Sequence, residues 1–202
     1  MMRLITICLA AALLAACAVR PPEPVEDVER TWQQRLEVLS ARDDWVLAGR
    51  VAVAVDDERW NANLRWRQEG ETYDIQIYGP FGRHAARLRG DASGVTLTDS
   101  EGRNHHARDA DQLVYDTLGW RLPVNGLRHW VLGVPAPGGS LEAYALDPAG
   151  RPEQLAQSGW TVRYQRYQRY SDESRPPLPD RMTLEFDDIR VRVLMDDWQM
   201  NP

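Results

Sequence analysis

Two kinds of residue in this chain could do covalent or acid–base chemistry: the thiols of Cys8 and Cys17, and four histidines set among acids. A nucleophile with its base, paired carboxylates in a cleft, or metal-ligand spacing would each leave a pattern. The sequence contains no Gly-x-Ser-x-Gly, no His-Glu-x-x-His and no glycine-rich phosphate loop. His105 and His106 are adjacent, so on a strand they point to opposite faces and cannot chelate one ion together. His84 and His129 stand alone, and the pairs Asp187-Asp188 and Asp196-Asp197 read as turn or rim acids. Triads assemble in space rather than in sequence, so an enzyme is not excluded. The expectation is nonetheless a protein without catalytic chemistry.

The informative thiol is Cys17. Met1 to Arg3 form a short positive segment, and Leu4 to Leu14 form an apolar stretch too short to span a bilayer. Leu14-Ala15-Ala16-Cys17 follows and resembles the lipobox of bacterial lipoproteins. Small residues before the cut admit the signal peptidase, and the Cys17 thiol would take a diacylglycerol. The alternative is an ordinary secretory signal with an incidental cysteine. Cys8 lies in the segment removed, so the mature chain has no second thiol for a disulfide or a cysteine-based metal site. No cofactor is expected beyond the diacylglycerol and the N-acyl chain at Cys17. Residue 18 is Ala, not Asp, which by resemblance to enterobacterial lipoproteins points to the outer membrane. The expected organisation is a signal peptide over 1–16, a lipidated Cys with an extended, proline-rich tether over 17–24, and one domain over 25–202.

The remaining composition narrows the partners. A formal charge of -6 argues against nucleic acid, which needs a basic face. All 24 basic residues are Arg, which a GC-rich genome explains. The 8 Trp need either a core or something apolar to hold.

What positions these residues is a change of period. Val25, Val28, Trp32, Leu36 and Leu39 recur at helical spacing. From Trp45 the period becomes two: Trp60, Ala62, Leu64 and Trp66 face one way, while Arg59, Asn61, Asn63, Arg65 and Arg67 face the other. Turn pairs such as Asp56-Asp57 and Glu69-Gly70 separate the strands and predict an antiparallel meander. Two short helices are expected over Asp109 to Gly119 and Pro123 to Gly133, then four more strands, the last two flanking Asp187-Asp188. The fold class is therefore mainly β with α, one sheet curled around helices. Arg163 to Tyr170 reads RYQRYQRY; stacking on bases is one reading, and an edge strand entering an exposed loop is the one that the acidic charge and export signal favour.

In this order and spacing, a further set of pieces resembles the LolB family of outer-membrane lipoprotein receptors. The pieces are Trp45-x-Leu47-x-Gly49-Arg50, the strand with Trp60 and Trp66, and Gly79-Pro80-Phe81-Gly82. Gly119-Trp120-Arg121-Leu122-Pro123-Val124, Leu127 to Pro135, Leu155 to Trp160, Leu178-Pro179 and Trp198 complete it, so the likeness covers nearly the whole chain. It implies a single unclosed antiparallel β-barrel, LolA/LolB-like, with a helical lid enclosing an apolar cavity. It also implies a role: accepting lipoproteins from the periplasmic carrier LolA and inserting them into the outer membrane, facing the periplasm. The implied partners are LolA, the acyl chains of client lipoproteins and outer-membrane lipid, with no nucleic acid; a monomer is expected.

By that resemblance the loop 79–83 delivers clients to the membrane, and Phe81 takes the place where relatives often carry Leu. The alternative is that Phe81 folds back over the sheet edge. The pleat assigns the acyl-chain cavity to Leu47, Val51, Trp60, Leu64, Trp66, Ile75, Ile77, Leu88, Leu97, Leu118, Trp120, Leu127 and Trp130. A periplasm-facing lipid-binding or sensor lipoprotein with the same half-barrel and another client is the competing reading.

Overall fold

The computed structural model describes residues 23–79, 84–119, 121–168 and 175–200. Cys17, Pro80, Phe81, Gly82 and Trp120 lie outside the described residues. The chain opens with helix α1 (Val28–Ser40), whose N-cap Asp27 accepts a hydrogen bond from the Arg30 amide. Six strands follow as a meander: β1 (Asp44–Val55), β2 (Glu58–Glu69), β3 (Thr72–Tyr78), β4 (His84–Asp91), β5 (Gly94–Thr98) and β6 (Asn104–Ala107). Helices α2 (Ala110–Leu118) and α3 (Val124–Trp130) interrupt the sheet. It resumes with β7 (Leu141–Leu146), β8 (Pro152–Gln157), β9 (Trp160–Tyr167), β10 (Pro179–Phe186) and β11 (Ile189–Met200).

Among the described residues all eleven strands form one antiparallel sheet, in the order β6-β5-β4-β3-β2-β1-β11-β10-β9-β8-β7. No bonded pair joins β6 to β7, so the sheet is open. The last strand pairs with the first, Val55 opposite Ile189 and Trp45 opposite Met200, and this welds the two meanders together. Two-residue turns set the register at Asp56-Asp57, Ser158-Gly159 and Asp187-Asp188. Asp56, Ser158 and Asp187 take φ of 50°, 54° and 50°, the left-handed region that twisted two-residue hairpins require. The RYQRYQRY strand is not an edge strand: β9 runs between β8 and β10. Tyr164 is buried and donates to the Trp130 carbonyl, and Tyr167 donates to that of Pro152, so the repeat's first two tyrosines belong to the interior.

One close approach fixes a glycine. At Gly49, beside the register shift between β1 and β11, a Cβ would stand 2.0 Å from the Leu194 carbonyl oxygen. Neither backbone can yield without breaking the pairing at the sheet's centre. Gly49→Ala is expected to destabilise the protein by about 3 kcal/mol, in the range of core overpacking. A urea midpoint equal to that of the parent would refute this.

The inward face carries one continuous core, from Trp32 of α1 through both meanders to Met195 of β11. Helix α1 buries Trp32, Arg35 and Leu39. Arg35 is 5% exposed. It donates to the backbone oxygens of Leu132 (3.0 Å) and Pro177 (2.7 Å), tying α1 to the segment after α3 and to the approach to β10. Burial lowers its pKa. Helix α2 lies against β5 and β6 through Ala110, Leu113 and Val114, capped by Asp109 as the sequence predicts.

Candidate lipid-binding interior and its open end

Side chains that alternate along one face of a curled sheet converge, and here they converge on the helices. Leu47, Leu64, Trp66, Ile75, Leu88, Leu97 and Trp130 of the expected cavity set are all buried in the core. Val51, Trp60, Ile77 and Leu127 pack against it half-buried. Leu118 departs from expectation: it is 41% exposed. It is the final residue of α2, and β6 is only 4 residues long, so its side chain has no strand to be buried against. It borders a polar groove with Asp99, Arg103 and His105.

Most of the tryptophans are held as pillars. Trp66 Nε1 donates to Gln68 Oε1 (3.1 Å), and Gln68, 1% exposed, donates in turn to the Gly70 and Thr72 carbonyls. Trp130 Nε1 donates to Gln157 Oε1 (2.8 Å), which also takes the Ala136 amide, while Gln157 Nε2 donates to the Ala136 carbonyl. The Trp45 ring lies 5.2 Å from Trp66 and 5.4 Å from Trp198, whose Nε1 reaches the Pro179 carbonyl. A buried indole N–H needs such a partner, and each partner fixes its ring. His129 on α3 is kept neutral, its pKa lowered to about 4 by burial, with Arg128 alongside adding to the effect. The acidic turn at Asp99 serves structure: it accepts from Arg103 and lies 3.0 Å from His105 Nε2, and these bonds hold its carboxyl far below the usual range.

The inward face is not uniformly sealed. The β1–β2, β8–β9 and β10–β11 turns lie at one end of the sheet; there Val55 and Trp60 are half-buried beside the buried Val53, Ile189 and Val191, and nearer mid-sheet Val51 and Ile77 are half-buried too. Gly79, itself buried, leads out of β3 toward that end, so the loop 79–83 begins beside the less covered part of the apolar face. The interior thus combines a deep, tryptophan-supported region with inward apolar residues that are only partly covered.

The cavity set expected from the pattern lies on β1–β5 and the helices, and the second meander adds to it. Leu155, Val162, Met182, Leu184, Val191, Val193 and Met195 line the same interior. Their alternation was visible in the strands; that β11 returns beside β1 was not.

An open antiparallel sheet folded over an apolar interior, with helices packed into it, defines the class as an unclosed half-barrel with a helical lid. A LolA superfamily protein of Nitrosomonas europaea superposes with a TM-score of 0.54 over 88% of this chain and 95% of that one, at 10% identity. A putative outer membrane lipoprotein-sorting protein domain of Vibrio parahaemolyticus gives 0.51 over 87% and 94%, also at 10% identity. The chain belongs to the LolB family, whose model, described as outer membrane lipoprotein LolB, matches residues 43–198. The outer-membrane lipoprotein LolB of Alkalilimnicola ehrlichii is 42% identical over 99% of this chain and 98% of its own length. That of Nitrosococcus oceani is 38% identical over 98% of each. This protein is accordingly an outer-membrane lipoprotein, and among the described residues no helix is long and apolar enough to cross a membrane.

Proposed function

We propose that this protein receives lipoproteins from the periplasmic carrier LolA and passes their acyl chains from its apolar interior into the outer membrane, without catalysing a covalent reaction. The observation that carries the reading is a set of inward apolar residues left half-buried, Val51, Val55, Trp60 and Ile77, which run from mid-sheet, where Gly79 begins the loop, toward the β1–β2 turn. Each methylene taken from water contributes about 0.8 kcal/mol, so acyl chains cross the periplasm only under an apolar cover. An interior that can widen at one end offers that cover and an exit. Cys17 is the proposed anchor, carrying the diacylglycerol and N-acyl chain. Phe81, between Pro80 and Gly82, is the proposed contact with the bilayer.

The test uses a chain beginning at Ala18, which keeps the whole core between Trp32 and Met200 and lacks only the anchor. Mixed with a carrier preloaded with a labelled triacylated lipoprotein and then separated, it is expected to take up most of the label without ATP. Label that stays on a carrier competent with another acceptor would defeat the receptor reading and favour a lipid-binding lipoprotein with a different client.

A further inference from the structure

The outward face of the sheet is the largest feature left without a task. Arg59, Arg65, Arg89, Arg181 and Arg192 project from it, all exposed, and among the described residues no ion pair engages them. They sit on β10, β11, β2 and β4, across a span of six neighbouring strands and roughly 24 Å at sheet spacing. The whole chain carries -6, so this face opposes the overall sign. Between the arginines β1 shows the small side chains of Ala48, Ala52 and Ala54, with Val46 and with Arg50, which is paired to Asp196. The large exposed apolar residues lie elsewhere, on α1, α2 and β7. Protein interfaces centre on buried aromatic or aliphatic anchors, with charge depleted from the middle. An arginine field floored with alanine is the reverse, and guanidinium forks match phosphate oxygens.

The length of the chain ahead of the fold says where phosphates would be met. Eight residue steps lead from Cys17 to Val25, a reach of about 28 Å at most. Val25 is fixed by its amide's bond to the Pro148 carbonyl (2.9 Å), in the turn between β7 and β8. That turn lies at the end of the sheet away from the Asp56-Asp57 hairpin, and β1, of 12 residues, is about 36 Å long. Tyr78 pairs with Asn63 and Asn63 with Arg50, so Gly79 lies about 20 Å along the sheet from that end, and a tether of this reach lets the body lie on its side with both at the membrane. On the outward face a trough of about 390 Å³, lined by Arg50, Ala52, Asn61, Asn63 and Arg192, runs to Gly79 at the root of the loop.

We propose that this outward face rests on anionic phospholipid headgroups of the membrane, and that the contact brings the 79–83 loop down to the bilayer. The orientation rests on the anchor and loop proposed above; the contact with headgroups does not.

The chain starting at Ala18 is sedimented with vesicles of phosphatidylcholine alone and of phosphatidylcholine mixed with phosphatidylglycerol. It is expected to bind the mixed vesicles, and to release as salt rises toward 1 M, where the screening length falls to about 3 Å. Each arginine near such a surface contributes roughly fivefold in partitioning, so Arg65→Gln, Arg89→Gln and Arg192→Gln together lower binding roughly 100-fold. These exposed sites leave the melting temperature of the triple variant unchanged, and its uptake of client from the carrier in solution is retained. Binding that shows no preference for phosphatidylglycerol, or that survives the triple variant, overturns the proposal. Loss of uptake from the carrier with vesicle binding intact also overturns it and makes the face a protein-docking surface. Phe81→Glu, run alongside, keeps the arginine-dependent binding; if it also inserts clients normally, the loop reading fails and the headgroup contact stands.

Discussion

Trp130→Ala is expected to remove about a third to a half of the folding free energy. Truncating a fully buried tryptophan costs about 3–5 kcal/mol, against about 5–15 kcal/mol for a whole domain. Trp130 is 1% exposed, and its Nε1 holds Gln157, itself 1% exposed and bonded to both the amide and the carbonyl of Ala136. Removing the indole therefore leaves a cavity and takes one of two donors from a buried amide oxygen, which keeps the Ala136 amide. Trp60→Ala, at a half-buried position, should cost well under half as much. Urea denaturation of the two variants beside the parent measures the difference. Near-equal midpoints would mean that Trp130 is a wall of a roomy cavity, free to be lost, and that the division into pillars and partly covered residues is wrong.

Phe81→Glu should leave the fold and client uptake intact and stop delivery. Burying a phenylalanine side chain in an apolar phase contributes about 1.5–3 kcal/mol, and a carboxylate in its place is repelled from lipid. The time the loop spends in the bilayer therefore falls at least tenfold, and on the order of 100-fold where the full side chain inserts. Client accumulates on the receptor while label in vesicles falls in the same proportion. Phe81→Leu retains the apolar contact and should deliver within a few-fold of the parent. The loop is flanked by Tyr78 and His84, which pair with each other across β3 and β4, so the substitution falls outside the ladder. Insertion by Phe81→Glu at the parental rate would mean that the loop folds back on the sheet edge and that delivery runs through another surface.

The division between pillars and partly covered residues also runs through the likeness to the family. Trp45, Leu47, Gly49, Trp66 and Trp130 belong to the motifs that carry it, and all but Gly49 are buried large side chains. Gly49 owes its place to the Leu194 carbonyl. These residues therefore report the half-barrel itself. Trp60 and the loop after Gly79 belong to the same motifs, and they are the parts of them proposed to carry transfer, Trp60 being only half-buried.

The sequence by itself determined what depends on neighbours along the chain. A period of two with Asp56-Asp57 and Asp187-Asp188 at its breaks dictates hairpins, because side chains alternate across a strand and a two-residue turn fixes the register. Asp109 announces the start of α2, and Leu14 to Cys17 with the apolar stretch before them announces a lipoprotein. Period also assigned most inward residues to their face. It could not give their neighbours, since strand order is a matter of contacts between residues far apart. Val55 meets Ile189 and Trp45 meets Met200 only because the last strand returns to the first. That pairing makes the second meander half of the interior, places β9 inside the sheet and buries Tyr164. Depth was likewise decided by the tertiary structure. Gln68 and Gln157 turn two tryptophans into fixed supports, and Leu118, inward by pattern, is exposed where β6 ends. Alternation states a direction, but burial requires that something stand in that direction, and only the folded chain supplies it.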